Sequence, residues 1–171
     1  MKKTLLISLM AAVAVLLSSC AVNLGGVMAN YTSLQNSCDV NSNFRNGTQR
    51  LVIHNQQDFN AVFSSRTGAH ASIDFAHKFV VAVILPETNR QTQIETVSCN
   101  RIGDKLYFSY LITEGHMTGY TFRPYTAVVV DRSEPIDVVF QQVTPSDLEN
   151  AGIHRNGNQQ QQGGYTPRPR L

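Results

Sequence analysis

The chain has 171 residues and a formal net charge of +2, from 14 basic and 12 acidic side chains. Lys2 and Lys3 belong to a leader, and Arg155, Arg168 and Arg170 sit in a tail, so the body from Cys20 to Ile153 holds 9 basic against 12 acidic residues. An acidic body lacks the basic face that nucleic acid requires, which excludes that class of partner.

Behind Lys2 and Lys3 runs an uncharged stretch, Thr4 to Leu17, that ends in Leu17-Ser18-Ser19-Cys20. Basic start, apolar middle and small-residue end are the three parts of a secretory signal peptide. As a helix, 14 residues would span about 21 Å, short of the roughly 30 Å hydrocarbon core that a transmembrane anchor must cross. A soluble secreted protein that keeps Cys20 as a thiol is the other reading. Leu17-Ser18-Ser19-Cys20 resembles the lipobox of bacterial lipoproteins. That resemblance implies cleavage before Cys20, acylation of Cys20 with palmitate-type chains, and attachment to a membrane through the N-terminal lipid. Neutral Ala21 and Val22 then favour the outer membrane of a bacterial envelope over the inner one.

Residues 20–37 mix Asn, Gly, Ser, Thr and Gln with little periodicity and read as a flexible tether. A single domain is expected over 38–153. Residues 154–171, with four glutamines, Gly163-Gly164, Pro167 and Pro169, have too few apolar groups to offset ordering entropy. With Cys20 given to lipid, Cys38 and Cys99 remain as an even pair in an exported chain. A disulfide between them would stabilise the fold by about 4 kcal/mol on the loop-entropy argument. The alternative is two unrelated thiols.

Arg50 to His54 is a short β-rich run. Asn55 follows as a helix cap with Asp58 three residues on, and Phe59, Val62 and Phe63 mark one face of a helix that should stop near Arg66–Gly68. Phe79 to Leu85 is continuously apolar and β-branched, as a strand buried on both faces would be, and Pro86 ends it. Strands are expected at Gln91–Cys99 and Lys105–Thr113 around a turn at Gly103, with Leu106, Phe108, Tyr110 and Ile112 on one face. Gly115 to Gly119 reads as a loop. Thr126–Asp131 and Ile136–Val143 are further strands joined by a turn at 132–135, and Thr144-Pro145-Ser146-Asp147 starts a short second helix. Short links argue for antiparallel neighbours. The expected fold is α+β, a twisted antiparallel sheet of about six strands, open or curled towards a half-barrel, with the helix near 56–65 on one face.

The chain offers little catalytic chemistry. His54, His70, His77, His116 and His154 show neither a helical i, i+4 pair nor a cysteine partner at zinc spacing, so no metal or other cofactor is expected. There is no Gly-x-Ser-x-Gly elbow and no Gly-rich phosphate loop, and Asp131, Glu134 and Asp137 cluster at a turn where solvated charge is ordinary. A non-enzyme is expected. The most unusual segment is Glu114 to Tyr120, where two glycines bracket His116, Met117 and Thr118 ahead of Tyr120. Methionine and aromatic residues are enriched in interface cores, which makes His116, Met117, Thr118 and Tyr120 candidates for contacting a partner. The competing reading is a plain turn followed by core aromatics at Phe122 and Tyr125.

Several short stretches occur in the order found in one family: Leu51-Val52-Ile53 then Asp58-Phe59, Ile73-Asp74-Phe75 into Val80-Val81-Ala82-Val83, and Arg123-Pro124-Tyr125 into Val128-Val129-Val130. In that order the chain resembles the C-terminal domain family of PrcB-type protease complex subunits. The resemblance implies a non-catalytic envelope protein that binds another protein, as an accessory or inhibitor of a protease. It departs after the apolar strand, where Pro86 to Gln91 replaces a Thr-Gly-Gly-Tyr-like turn. The alternative function is a small-ligand or glycan-binding lipoprotein, against which the absence of tryptophan argues for sugars.

Overall fold

The computed structural model describes residues 24–66, 72–132 and 137–153. The expected leader at 1–19, Cys20, Gly68, His70, Glu134, His154 and the glutamine-rich residues 154–171 lie outside these residues, as does most of the expected 132–135 turn. Among the described residues the strands are β1 (Val27–Met28), β2 (Tyr31–Ser33), β3 (Cys38–Val40), β4 (Gln49–Ile53), β5 (Phe63–Ser65), β6 (Lys78–Ile84), β7 (Thr88–Ile102), β8 (Lys105–Phe122), β9 (Tyr125–Asp131) and β10 (Asp137–Val143). Helix α1 (Gln56–Val62) follows β4 and α2 (Pro145–Asn150) follows β10. The fold is sheet-rich α+β, as expected. Its strands form open sheets ordered β1-β7-β8-β10 and β2-β9-β6-β4, with a small β3-β5 pair, instead of one sheet of about six strands or a half-barrel.

A single antiparallel ribbon generates both larger sheets. β6 pairs with β9 from Lys78↔Asp131 to Ile84↔Tyr125, and Leu85 N–H donates to the Pro124 carbonyl at 2.9 Å. The same two chain segments pair again as β7 and β8, from Thr88↔Phe122 to the two-residue turn at Gly103-Asp104. The ribbon bends near 85–92 and folds its far half back over its near half. Its inner face buries Phe79, Val81 and Val83 from β6 against Leu106, Phe108 and Tyr110 from β8 and Val128 and Val130 from β9. Thr96 Oγ1 lies 2.9 Å from Thr126 Oγ1, and Arg50 Nε donates to the Tyr110 hydroxyl at 3.1 Å, so polar contacts also cross between the sheets.

The opposite face of β6 carries Val80, Ala82 and Ile84, which pack with Phe59, Val62 and Phe63 in a second cluster. A strand covered on both faces has no polar side, which explains its unbroken apolar run. The helix is shorter than its apolar spacing suggests. Asn55 caps it as expected, its side chain accepting from Asp58 N–H, but the chain turns extended at Phe63. Phe63 is buried as the first residue of β5 and pairs with Val40 of β3. The second helix has the expected capping box, in which Thr144 and Asp147 satisfy each other's backbone N–H groups.

The flexible tether expected at 20–37 is corrected over its described part. β1 adds to β7 at Val27↔Arg101 and Met28↔Asn100, and β2 adds to β9 at Tyr31↔Val130 through Ser33↔Val128. These pairings need backbone more than periodic side chains, which is why the composition misled. The link after β9 also behaves differently from a hairpin. β10 crosses to the other sheet and runs parallel to β8, Asp137↔Lys105 through Val143↔Leu111.

Gly26 starts β1 with φ 102°, and a Cβ there would lie 2.6 Å from both the Arg101 carbonyl oxygen and Ile102 Cγ1. Gly26→Ala should therefore destabilise the domain by about 1–3 kcal/mol, seen as a lower urea midpoint. Gly119→Ala, whose Cβ would meet nothing within 4 Å, should shift it by no more than about 0.5 kcal/mol.

Candidate functional site

The segment expected to be a loop at Gly115–Gly119 is part of β8. Neither Gly115 nor Gly119 has a positive φ, so these glycines do not make a turn. The register shows what they do instead. Between Thr88↔Phe122 and Thr92↔Glu114, four steps along β7 oppose eight along β8. The surplus lies on β8, the outer strand of the bend, and swells into a crest over 114–121. Extra residues on one strand of a ladder bend the strand and raise its twist. Gly115 permits a close approach here, since a Cβ would sit 3.2 Å from the Gln91 carbonyl oxygen.

The crest gathers all four candidate partner-contacting residues. Met117 is 62% exposed and Tyr120 is 50% exposed, the exposed large apolar side chains of this bend. His116 is also exposed, and Thr118 is half-buried. The Thr118 hydroxyl lies 2.8 Å from the Asn89 carbonyl oxygen and 2.7 Å from that of Tyr120, and shares its proton between them. It thereby ties the crest to β7. The Tyr120 ring lies 6.1 Å from the half-buried Phe122 ring, which steadies it from one side. The alternative of core aromatics holds for Tyr125, whose hydroxyl donates to the carbonyls of Gln35 and Cys38.

Arg123, which the sequence marks only as part of the Arg123-Pro124-Tyr125 stretch, braces the bend. Its Nη1 donates to the Phe44 carbonyl at 2.8 Å and its Nη2 to Glu87 Oε1 at 3.4 Å. Nearby, the Asn41–Arg45 loop, Gln49, Leu51 and Ala61 line an open depression of mixed polar and apolar character, about 580 Å³ in volume.

Cys38 and Cys99 are buried free thiols, which corrects the expected disulfide. Cys99 belongs to the cluster with Phe79, Val81 and Val83, and Cys38 to the cluster with Val80, Ala82 and Ile84. Successive β6 residues point to opposite faces, so the central sheet stands between the two sulfurs. A disulfide needs Cα atoms within about 7 Å, and stacked sheets lie about 10 Å apart.

The described histidines lie on separate elements. His54 Nδ1 accepts from Arg132 Nη2 at 2.9 Å beside the Phe79 ring, and His77 Nδ1 pairs with Asp74 Oδ2 at 2.7 Å. Among the described residues no three metal-donor side chains converge. Of the acidic turn, Asp131 accepts from Asn30 Nδ2 at 2.7 Å and sits 3.6 Å from Lys78 Nζ. No family model, curated protein or solved structure matches the chain.

Burial pushes the Cys99 thiol up to about 12 and raises that of Cys38 as well. In the folded domain Cys38 and Cys99 should not react with a disulfide reagent, and unfolding should expose both thiols to it. Because the folded Cys99 value is raised, its contribution to stability is full below the unfolded thiol value of about 8.5. It is lost as pH rises from there toward 12, and urea unfolding across that range should register the decline.

Proposed function

We propose that this chain is a lipid-anchored, non-catalytic protein of the bacterial cell envelope that binds another protein through the crest of its bent ribbon. Exposure of Met117 and Tyr120 on the arc of β8 carries the reading. The arc is tied to β7 at Met117↔Arg90 and through the Thr118 hydroxyl, which contacts the carbonyls of Asn89 and Tyr120, and such preorganisation favours affinity. Met117 supplies a deformable apolar contact and Tyr120 a flat one with a polar tip, the side-chain types enriched in interface cores. The partner class is a protease, with this chain as accessory or inhibitor, on the resemblance of residues 50–142 to PrcB-type subunits. Acylated Cys20 holds the protein to the membrane, the outer one by its neutral flank.

Pull-down with the full chain from envelope extract should retain one protein at stoichiometric yield. Met117→Asp and Tyr120→Ala should each weaken that binding by about tenfold or more, as hot-spot truncations of about 1.4–2 kcal/mol do. Both residues are solvent-facing, so the urea midpoint should stay where it is. Undiminished capture by both variants defeats the crest as the contact surface.

The depression beside β4 favours a second reading, a small-ligand site. Its volume lies in the range of ligand pockets, and Arg45 is the one charged residue of its lining. An acidic saccharide or other small carboxylate suits that lining, with Asn43 and Gln49 beside Arg45 to meet its hydroxyl groups, while the Asn41 amide already donates to the Asn60 and Ala61 carbonyls. Calorimetric titration with acidic mono- and disaccharides should give binding that Arg45→Gln removes. No heat across the series at millimolar concentration eliminates this reading.

A further inference from the structure

We infer that the β1 edge of the domain lies on the bilayer that holds the lipid, with Val27 and Met28 entering its interface. The inference rests on acylation of Cys20. The folded domain begins almost at that residue. Leu24 is already fixed, its carbonyl accepting from the buried Asn100 side chain at 2.8 Å and its side chain packing beside Leu111, Val143 and Leu148. Four residue steps separate Cys20 from Leu24, and a fully extended chain covers at most about 14 Å in four steps. Fatty chains on Cys20 therefore bring Leu24 to the headgroup layer, with no long spacer to hold the domain away.

The surface that this geometry lowers onto the membrane is apolar. Val27 and Met28 are each 75% exposed, the most exposed large hydrophobic side chains among the described residues. β1 is the outer strand of its sheet, so nothing among the described residues covers its free edge. Adjacent strand residues point to opposite sides, and an edge-on approach brings both to the interface together. There the unpaired backbone groups of the edge keep access to water and headgroups. Of the β7 residues that oppose β1, Asn100 is neutral and Arg101 is a single cation, which is no basic cluster, so the contact is driven by apolar area and the covalent lipid instead of by anionic headgroups.

The same orientation places the crest. Asn100 pairs with Met28 and Arg90 pairs with Met117, and ten residues of β7 between them amount to about 33 Å of strand. The β1 edge thus sits by the turn end of the hairpin and the crest at the other end, displaced along the strand from the bilayer contact.

The test uses the full chain, purified from membranes and reconstituted into phosphatidylethanolamine–phosphatidylglycerol vesicles. Met28→Cys and Met117→Cys each receive an environment-sensitive fluorophore, and the buried Cys38 and Cys99 leave the parent protein unlabelled. Mass analysis of the N-terminal peptide reports Cys20 acylation separately. The expected result is acylated Cys20, blue-shifted emission at position 28 that lipid-borne nitroxide quenches, and neither effect at position 117. Acylated Cys20 with a solvent-like spectrum at position 28 overturns the inference and leaves the anchor intact. A blue shift that nitroxide lipid does not quench assigns the edge to a second copy of the chain, and also overturns it. Unmodified Cys20 removes the anchor and the inference together.

Discussion

β6 has apolar neighbours on both faces, and the other elements are arranged by that demand. Phe79, Val81 and Val83 face one way and Val80, Ala82 and Ile84 the other, all with almost no solvent contact. A strand of this kind is stable only with a layer on each side. The far half of its own ribbon supplies one layer, and α1 with the β3-β5 pair supplies the second. Removing either would bare a row of β-branched side chains to water, at about 25 cal/mol for each Å² exposed.

Folding a ribbon back on itself has a geometric consequence. The outer strand of the bend must be longer than the inner one, and β8 provides the extra length over 114–121. Residues on the outside of a bend have no layer above them, so their side chains meet solvent. The exposed Met117 and Tyr120 thus follow from the same constraint that buries Phe108 and Tyr110 a few residues earlier on the same strand. Arg123, bonded to the Phe44 carbonyl and Glu87, stiffens the corner where the chain leaves the crest for β9.

Burial also decides the cysteine chemistry. The two thiols sit in different layers with β6 between them, so each is sequestered alone and each is harder to ionise. Neither offers the electropositive, accessible setting that activates a thiolate. Ahead of the core strands, β1 and β2 clip one segment onto both sheets, so the packed fold already includes residues from Leu24 onward.

Local chemistry was legible from residues alone. Asn55 and Thr144 marked helix starts because a cap needs only a side-chain oxygen and a nearby N–H. The apolar run at 79–85 marked a doubly buried strand because its β-branched residues suit nothing else so short, and the alternation at 106–110 marked a strand, though Ser109 and Leu111 on its other face are buried as well. Met117 and Tyr120 stood out as candidates by type and setting. The sequence by itself could not say that 114–120 is the swollen outer strand of a bend, because that surplus exists only relative to β7, paired with it across the ladder. Nor could it place Cys38 and Cys99 on opposite sides of a sheet, or show the unpatterned residues of 27–33 recruited as edge strands. Those outcomes depend on which segments meet across long stretches of chain, and that choice is made by layer packing, after every local preference has already been expressed.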